Sequence, residues 1–191
     1  MLRILCAESS QGMFEDLKII SYPDPRLRKT SVEVGKFDEN LSALAKRMFE
    51  LMREARGVGL AAAQVGHGVR LFVVNHTGKP EDDRVYVNPV ISDAEGEETS
   101  EEGCLSLPGI NVQVTRPKAA KIRAKDLAGN PVEQTETGYA ARIWQHELDH
   151  LNGVLIIDRA GPTAKMESRK ILKELEEKYD AKKVEERRKK R

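Results

Sequence analysis

Cysteine, aromatic residues, long apolar runs and net charge are all scarce in this 191-residue chain. Two cysteines, Cys6 and Cys104, cannot build a disulfide framework. A lone cysteine in a chain that also carries histidines points to a reduced compartment and to a metal ligand or reactive thiolate. No stretch of about 18 apolar residues is present to span a membrane. Residues 1–7 hold too short an apolar run for a secretory signal, and Glu8 with few basic neighbours argues against a transit peptide, so the expected location is cytoplasmic. Lys and Arg total 32 against 31 Asp and Glu, a net +1, so no global field marks DNA as a partner. That balance is uneven. Residues 165–191 hold 12 basic and 7 acidic side chains, a local +5 that leaves −4 for residues 1–164.

What is present suits one domain with a core of its own, since 39% of the residues are hydrophobic. Leu41, Leu44, Met48, Leu51, Met52 and Ala55 recur at helical spacing and predict an amphipathic helix over 39–55, stopped by Gly57. A glycine-punctuated loop, 57–68, leads to expected strands at 70–75, 85–92, 111–115 and 119–125, the last ended by a turn at 129–131. Tyr22-Pro-Asp-Pro25 reads as a rigid extended turn. A second helix is expected over 138–152, with Gly153 in the left-handed capping position. A third starts near Thr163 with Met166, Ile171, Leu172, Leu175 and Tyr179 as its apolar stripe, and frays in the basic run 187–191. Strands cluster without regular βαβ alternation, so the fold class is α+β, with mostly antiparallel strands around a central helix and a C-terminal helix.

That central helix carries His146-Glu147-Leu148-Asp149-His150, a match to H-E-x-x-H. At i and i+4 two imidazoles stand on one face and can close on one metal ion, with the glutamate placed to accept a proton from a water beside it. The pentapeptide also arises by chance on charged helices, so a third ligand is decisive. A metzincin would need a histidine where this chain has Ile156. Glu167 and Glu174 lie in reach but fit better as the exposed face of the last helix. Cys104 is the stronger candidate, held by the glycines and proline of the segment 102–109 in a turn at a strand edge.

Three segments occur in order: Gly57-Val-Gly-Leu-Ala-Ala-Ala-Gln64, Glu102-Gly-Cys-Leu-Ser106 and Gln145-His-Glu-Leu-Asp-His-Leu-Asn-Gly153. Together they resemble the three signature segments of the peptide deformylases, and the resemblance runs from about Leu17 to the C-terminal helix. It implies removal of the N-formyl group from nascent polypeptides that begin with formylmethionine, with release of formate. It implies one divalent metal ion, ferrous in the native enzyme, with zinc, nickel or cobalt able to replace it. By matching positions, Cys104, His146 and His150 would hold the metal and Glu147 would act as general acid–base. Gln64 and the backbone N–H of Leu105 would stabilise the oxyanion, and Gly59 would hold the peptide extended. Val58, Leu105, Ile143 and His146 would line the methionine pocket, whereas Trp144 reads as core. Arg142, Ile143 and Asn111 stand where other members line or rim that pocket with different residues.

The resemblance also suggests docking of the basic C-terminal helix to ribosomal RNA, against the plainer reading of a solvated face with i,i+4 ion pairs. The expected organisation is a leader over 1–15, with Met13 an alternative start, a catalytic domain over 16–164, and a basic amphipathic helix over 165–191 in the same domain. Two rival readings are a zinc peptidase, which Cys104→Asp would spare, and a non-catalytic metal-binding or ribosome-docking module, which would release no formate.

Overall fold

A computed structural model describes residues 14–189; the leader up to Met13, Cys6 included, and Lys190 and Arg191 lie outside the described residues. The first helix, α1 (Glu39–Glu54), begins at Asp38, whose carboxylate accepts the Leu41 N–H at 3.1 Å. The strands are β1 (Gly59–Ala61), β2 (Leu71–Val74), β3 (Arg84–Glu95), β4 (Glu98–Gly103), β5 (Asn111–Arg116), β6 (Ala119–Lys125) and β7 (Pro131–Thr137). Three more helices follow: α2 (Gly138–Leu151), α3 (Ile156–Arg159) and α4 (Pro162–Lys189). Five strands form an antiparallel sheet in the order β1-β2-β3-β6-β7, and β4 pairs with β5 as a separate antiparallel hairpin.

The sheet is covered on both faces, and the period-two alternation of a strand shows how. In β2, Leu71 and Val73 enter the core shared with α1, while Phe72 and Val74 enter the core shared with α2. All four residues are buried, so this strand is a continuous apolar run. α2 is therefore the central element expected from sequence, and Trp144 is buried in it beside Tyr86, with ring centroids 5.6 Å apart. Its C-terminus closes as expected on Gly153 at φ +73, where a Cβ would lie 2.6 Å from the Arg28 carbonyl oxygen. A third apolar cluster packs β5 and α3 against Leu27, with Ala164, Ile171 and Leu172 of α4 lying on it.

Several expectations need correction. β4 and β7 were not anticipated, because one reads Glu-Thr-Ser-Glu-Glu-Gly and the other is mostly exposed, so neither shows an apolar alternation. The loop expected over 57–68 contains β1 and a 3-10 turn, Ala62–Val65. The rigid turn expected at Tyr22–Pro25 is present, with a cis Tyr22–Pro23 bond and Asp24 at φ −52 and ψ 122, and it leads into a further 3-10 turn, Pro25–Arg28. Met166 does not belong to the buried stripe of α4; it is 61% exposed, and Ala164 and Ser168 take the inward face. The same helix extends as far as Lys189, and the rest of the run expected to fray, 190–191, lies outside the described residues. Phe14, within the stretch expected to be a leader, packs on the α1 core and meets the His67 ring edge-on at 5.4 Å.

Candidate metal centre

The hairpin and α2 bring the sequence-distant parts of the site together. His146 and His150 are one turn apart on α2, their ring centroids 5.1 Å from each other. Cys104 follows directly on β4, in the turn that leads to β5. Its Sγ lies 3.2 Å from His150 Nε2, and one ligating atom from each of Cys104, His146 and His150 falls within 4.8 Å of the others. Donors on a tetrahedral ion at ordinary metal–sulfur and metal–nitrogen lengths stand about 3.6 Å apart, so this set fits one. A thiolate with two imidazoles suits a first-row transition metal such as iron or zinc and not calcium or magnesium. Burial holds the His150 imidazole well below its ordinary range, and the nearby Arg116 charge pushes the same way, keeping it in the neutral form a metal requires.

His146 is oriented from behind. Its Nδ1 lies 3.0 Å from Glu102 Oε2, which fixes the tautomer and leaves Nε2 for a metal. Glu102 in turn accepts Arg116 Nε at 2.6 Å and Nη2 at 2.9 Å, and Arg142 Nη1 at 2.7 Å. Arg116 also donates to Asp149 at 2.8 Å, and Arg159 pairs with Asp149 from the other side. Burial would raise the Glu102 carboxyl, but the hydrogen bonds and charges of Arg116 and His146 outweigh it and hold it well below the usual carboxylate range. Sequence reasoning assigned no role to Glu102, Arg116, Asp149 or Arg159.

Glu147 and Gln64 complete the floor of the cleft. Glu147 is 4% exposed, its Oε2 has no hydrogen-bond partner among the described residues, and burial pushes its carboxyl up to about 7. Gln64 is 1% exposed and its direction is set by its partners. The Ala61 N–H can only donate, so at 2.9 Å it selects the amide oxygen. Nε2 then points to Ser106 Oγ at 3.3 Å and Cys104 Sγ at 3.7 Å. Gly59 is glycine for a reason other than turning the chain. A Cβ there would stand 2.9 Å from Glu147 Cδ and closer still to Oε1.

A cleft of about 350 Å³ opens above these groups, lined by Val58, Leu105, Tyr139, Arg142, Ile143 and His146 among others. Every site residue expected from sequence therefore borders the cleft or, for His150, its metal set. Arg142 lines the cleft too, but its guanidinium is tied to Glu102, to Val114 O at 2.9 Å and to Glu98 O at 2.6 Å. Asn111 does not border it; exposed at the start of β5, it pairs with Gly103.

A family model described as polypeptide deformylase matches residues 16–166. The chain is 46% identical to the peptide deformylase of Thermotoga petrophila over 159 residues, which cover 83% of this chain and 95% of that one. It is 42% identical to that of Rhodopirellula baltica over 168 residues, covering 87% and 84% respectively. Among solved structures, a plant peptide deformylase superposes with a TM-score of 0.84 at 43% identity, covering 88% of this chain and 93% of its own.

Proposed function

We propose a mechanism for this chain, which belongs to the polypeptide deformylase family and is thus a metal-dependent hydrolase that removes the N-formyl group from nascent peptides. The observation that carries the reading is the convergence of Cys104, His146 and His150 on one point beside the buried carboxylate of Glu147. A divalent ion held there supplies Lewis acidity, which brings the pKa of a water molecule from 15.7 towards about 7.

The chain's own groups do the rest. Glu147 takes the proton of the attacking water and delivers it to the departing amide nitrogen, freeing formate and an α-amine. Gln64 Nε2, turned to the cleft by the Ala61 N–H, donates to the formyl oxygen as charge develops on it, together with the Leu105 N–H. One such donor is worth about 2.7–4 kcal/mol in comparable hydrolases. Among the described residues β1 lies at the edge of its sheet and β4 pairs only with β5, and both strands border the cleft. An extended peptide can therefore add to the free edge at Gly59 while its methionine side chain enters between Val58, Leu105 and Ile143.

Iron is the metal we propose, and the thiolate ligand makes it oxygen-sensitive. The same need for a reduced Cys104 supports a cytoplasmic location. Formate release from a formyl-Met dipeptide by anaerobically purified protein, with its metal content measured, tests the whole reading. Loss of activity in air and recovery with nickel is expected; activity unchanged by peroxide overturns iron. The catalytic domain is proposed to span residues 16–164 with α4 packed on it as part of the same domain, and the basic end of α4 to dock on ribosomal RNA. A chain truncated after Asp180 should keep its activity and lose salt-sensitive ribosome binding. Equal binding by the truncated and full chains at low salt refutes the docking.

A further inference from the structure

Arg56 sits at the mouth of the cleft in a conformation that arginine does not favour. Helix α1 ends in a Schellman arrangement, with Gly57 N–H bonded to Met52 O at 2.8 Å and Arg56 N–H to Arg53 O at 2.9 Å. Arg56 occupies the left-handed position of that motif at φ +55, where glycine carries no steric cost. A strained backbone held by a side chain that glycine would lack points to use of that side chain. The side chain borders the cleft, is exposed, and has no hydrogen-bond or ion-pair partner among the described residues. Its neighbour Arg53 is taken up by Asp83, and Arg142 by Glu102, so Arg56 is the guanidinium left available on this wall.

Burial also gives the direction of a bound peptide. Gly59 is buried, Gly57 is half-buried and Arg56 is exposed, so a chain whose formyl end lies at Glu147 and Gln64 leaves past Arg56. At about 3.3 Å per extended residue, the three steps from Gly59 to Arg56 span at most roughly 10 Å, so the long Arg56 side chain is within reach of the two residues after methionine. Across the cleft stands Glu101, exposed on β4.

We propose that Arg56 is a specificity-determining residue, which favours substrates carrying an acidic side chain at either of the two positions that follow methionine. The proposal rests on the deformylase reading above. The test compares kcat/KM for formyl-Met tripeptides with Asp or Lys at the second or third position, using metal-loaded full-length protein and a formyl-Met-Ala-Ala reference. The acidic over basic preference at one of these positions should be about fivefold, the upper end for an exposed ion pair. It should shrink as salt is raised, vanish in Arg56→Gly, persist in Arg56→Lys and reverse in Arg56→Glu. Arg56→Gly relieves the positive φ, so its melting temperature should hold or rise. Equal cleavage of acidic and basic peptides, a basic preference set by Glu101, or an acidic preference that survives Arg56→Gly overturns the proposal. Absence of formate from the alanine reference overturns the deformylase reading itself.

Discussion

Gly59→Ala is a small change that isolates the geometry of Glu147. The backbone of Gly59 has an ordinary φ, so alanine meets no conformational obstacle, and the loss of unfolded-chain freedom would by itself stabilise by about 0.4–1 kcal/mol. The new methyl, however, falls 2.9 Å from Glu147 Cδ and 3.0 Å from Cγ. Ordinary carbon contacts need about 3.5–4.0 Å, so the carboxylate must retreat by roughly 0.5–1 Å. Overpacking of this kind costs about 1–3 kcal/mol, which leaves a net loss of about 0–2.6 kcal/mol. At about 2–4 °C per kcal/mol for a domain of this size, that lowers the melting temperature by up to roughly 10 °C. Catalysis should suffer more, because displacing a reacting group by about 1 Å costs on the order of a hundredfold in rate. The assay is formate release at saturating peptide with metal supplied, beside a melting curve. Adding Glu147→Asp, which withdraws the carboxylate by one carbon, should recover much of the melting temperature and none of the kcat. A Gly59→Ala protein with unchanged melting temperature and unchanged kcat would refute the reasoning.

Glu102→Gln keeps the shape but removes the charge that faces two buried guanidinium groups and His146; stability should fall by about 3–5 kcal/mol in urea unfolding. Its metal affinity, read by chelator competition, should drop 10–100-fold because the His146 ring loses its anchor. Acid should destabilise the protein through three carboxyls. Glu102 is lowered although burial opposes it, Asp24 is lowered first by its hydrogen bond from Arg26, and Asp158 is lowered by Arg28 against burial. At these three groups the folded state binds fewer protons than the unfolded chain, so their stability is complete above the ordinary values of 4.5 for Glu and 3.8 for Asp. It is lost as pH falls through the lowered folded values, which urea midpoints taken on descending pH would follow; midpoints that hold steady there count against the ion pairs. On α4, Met166→Lys should change stability by less than about 0.5 kcal/mol, whereas Leu175→Ala should cost about 2–5 kcal/mol. The reverse ranking would restore Met166 to the buried stripe.

Much of the framework was legible because it is local. The apolar spacing of α1, the i,i+4 histidines of α2 and the left-handed Gly153 each announce themselves within a few residues, and the structure has all three. Cys104 needed the logic of a missing ligand, since no short-range pattern joins residue 104 to residues 146 and 150. The stripe of α4 departs from its sequence pattern at Met166 because a long charged helix offers more than one apolar line, and only the partner surface of Leu27, β5 and α3 selects between them.

The ionic network behind the metal site was hidden for a more general reason. In β5 the inward positions are Val112, Val114 and Arg116, so the alternation itself places an arginine in the interior. That placement is a warning sign only if a partner is known, and the partner lies on β4, whose inward positions are Glu98, Ser100 and Glu102. A strand that buries charge instead of apolar surface does not look like a strand, and a charge without its partner does not look buried. Both signals are erased together, and they are erased where the chain has set aside its core pattern to orient His146. Polar residues at the inward positions of paired strands therefore locate the support of this metal site more directly than any apolar periodicity does.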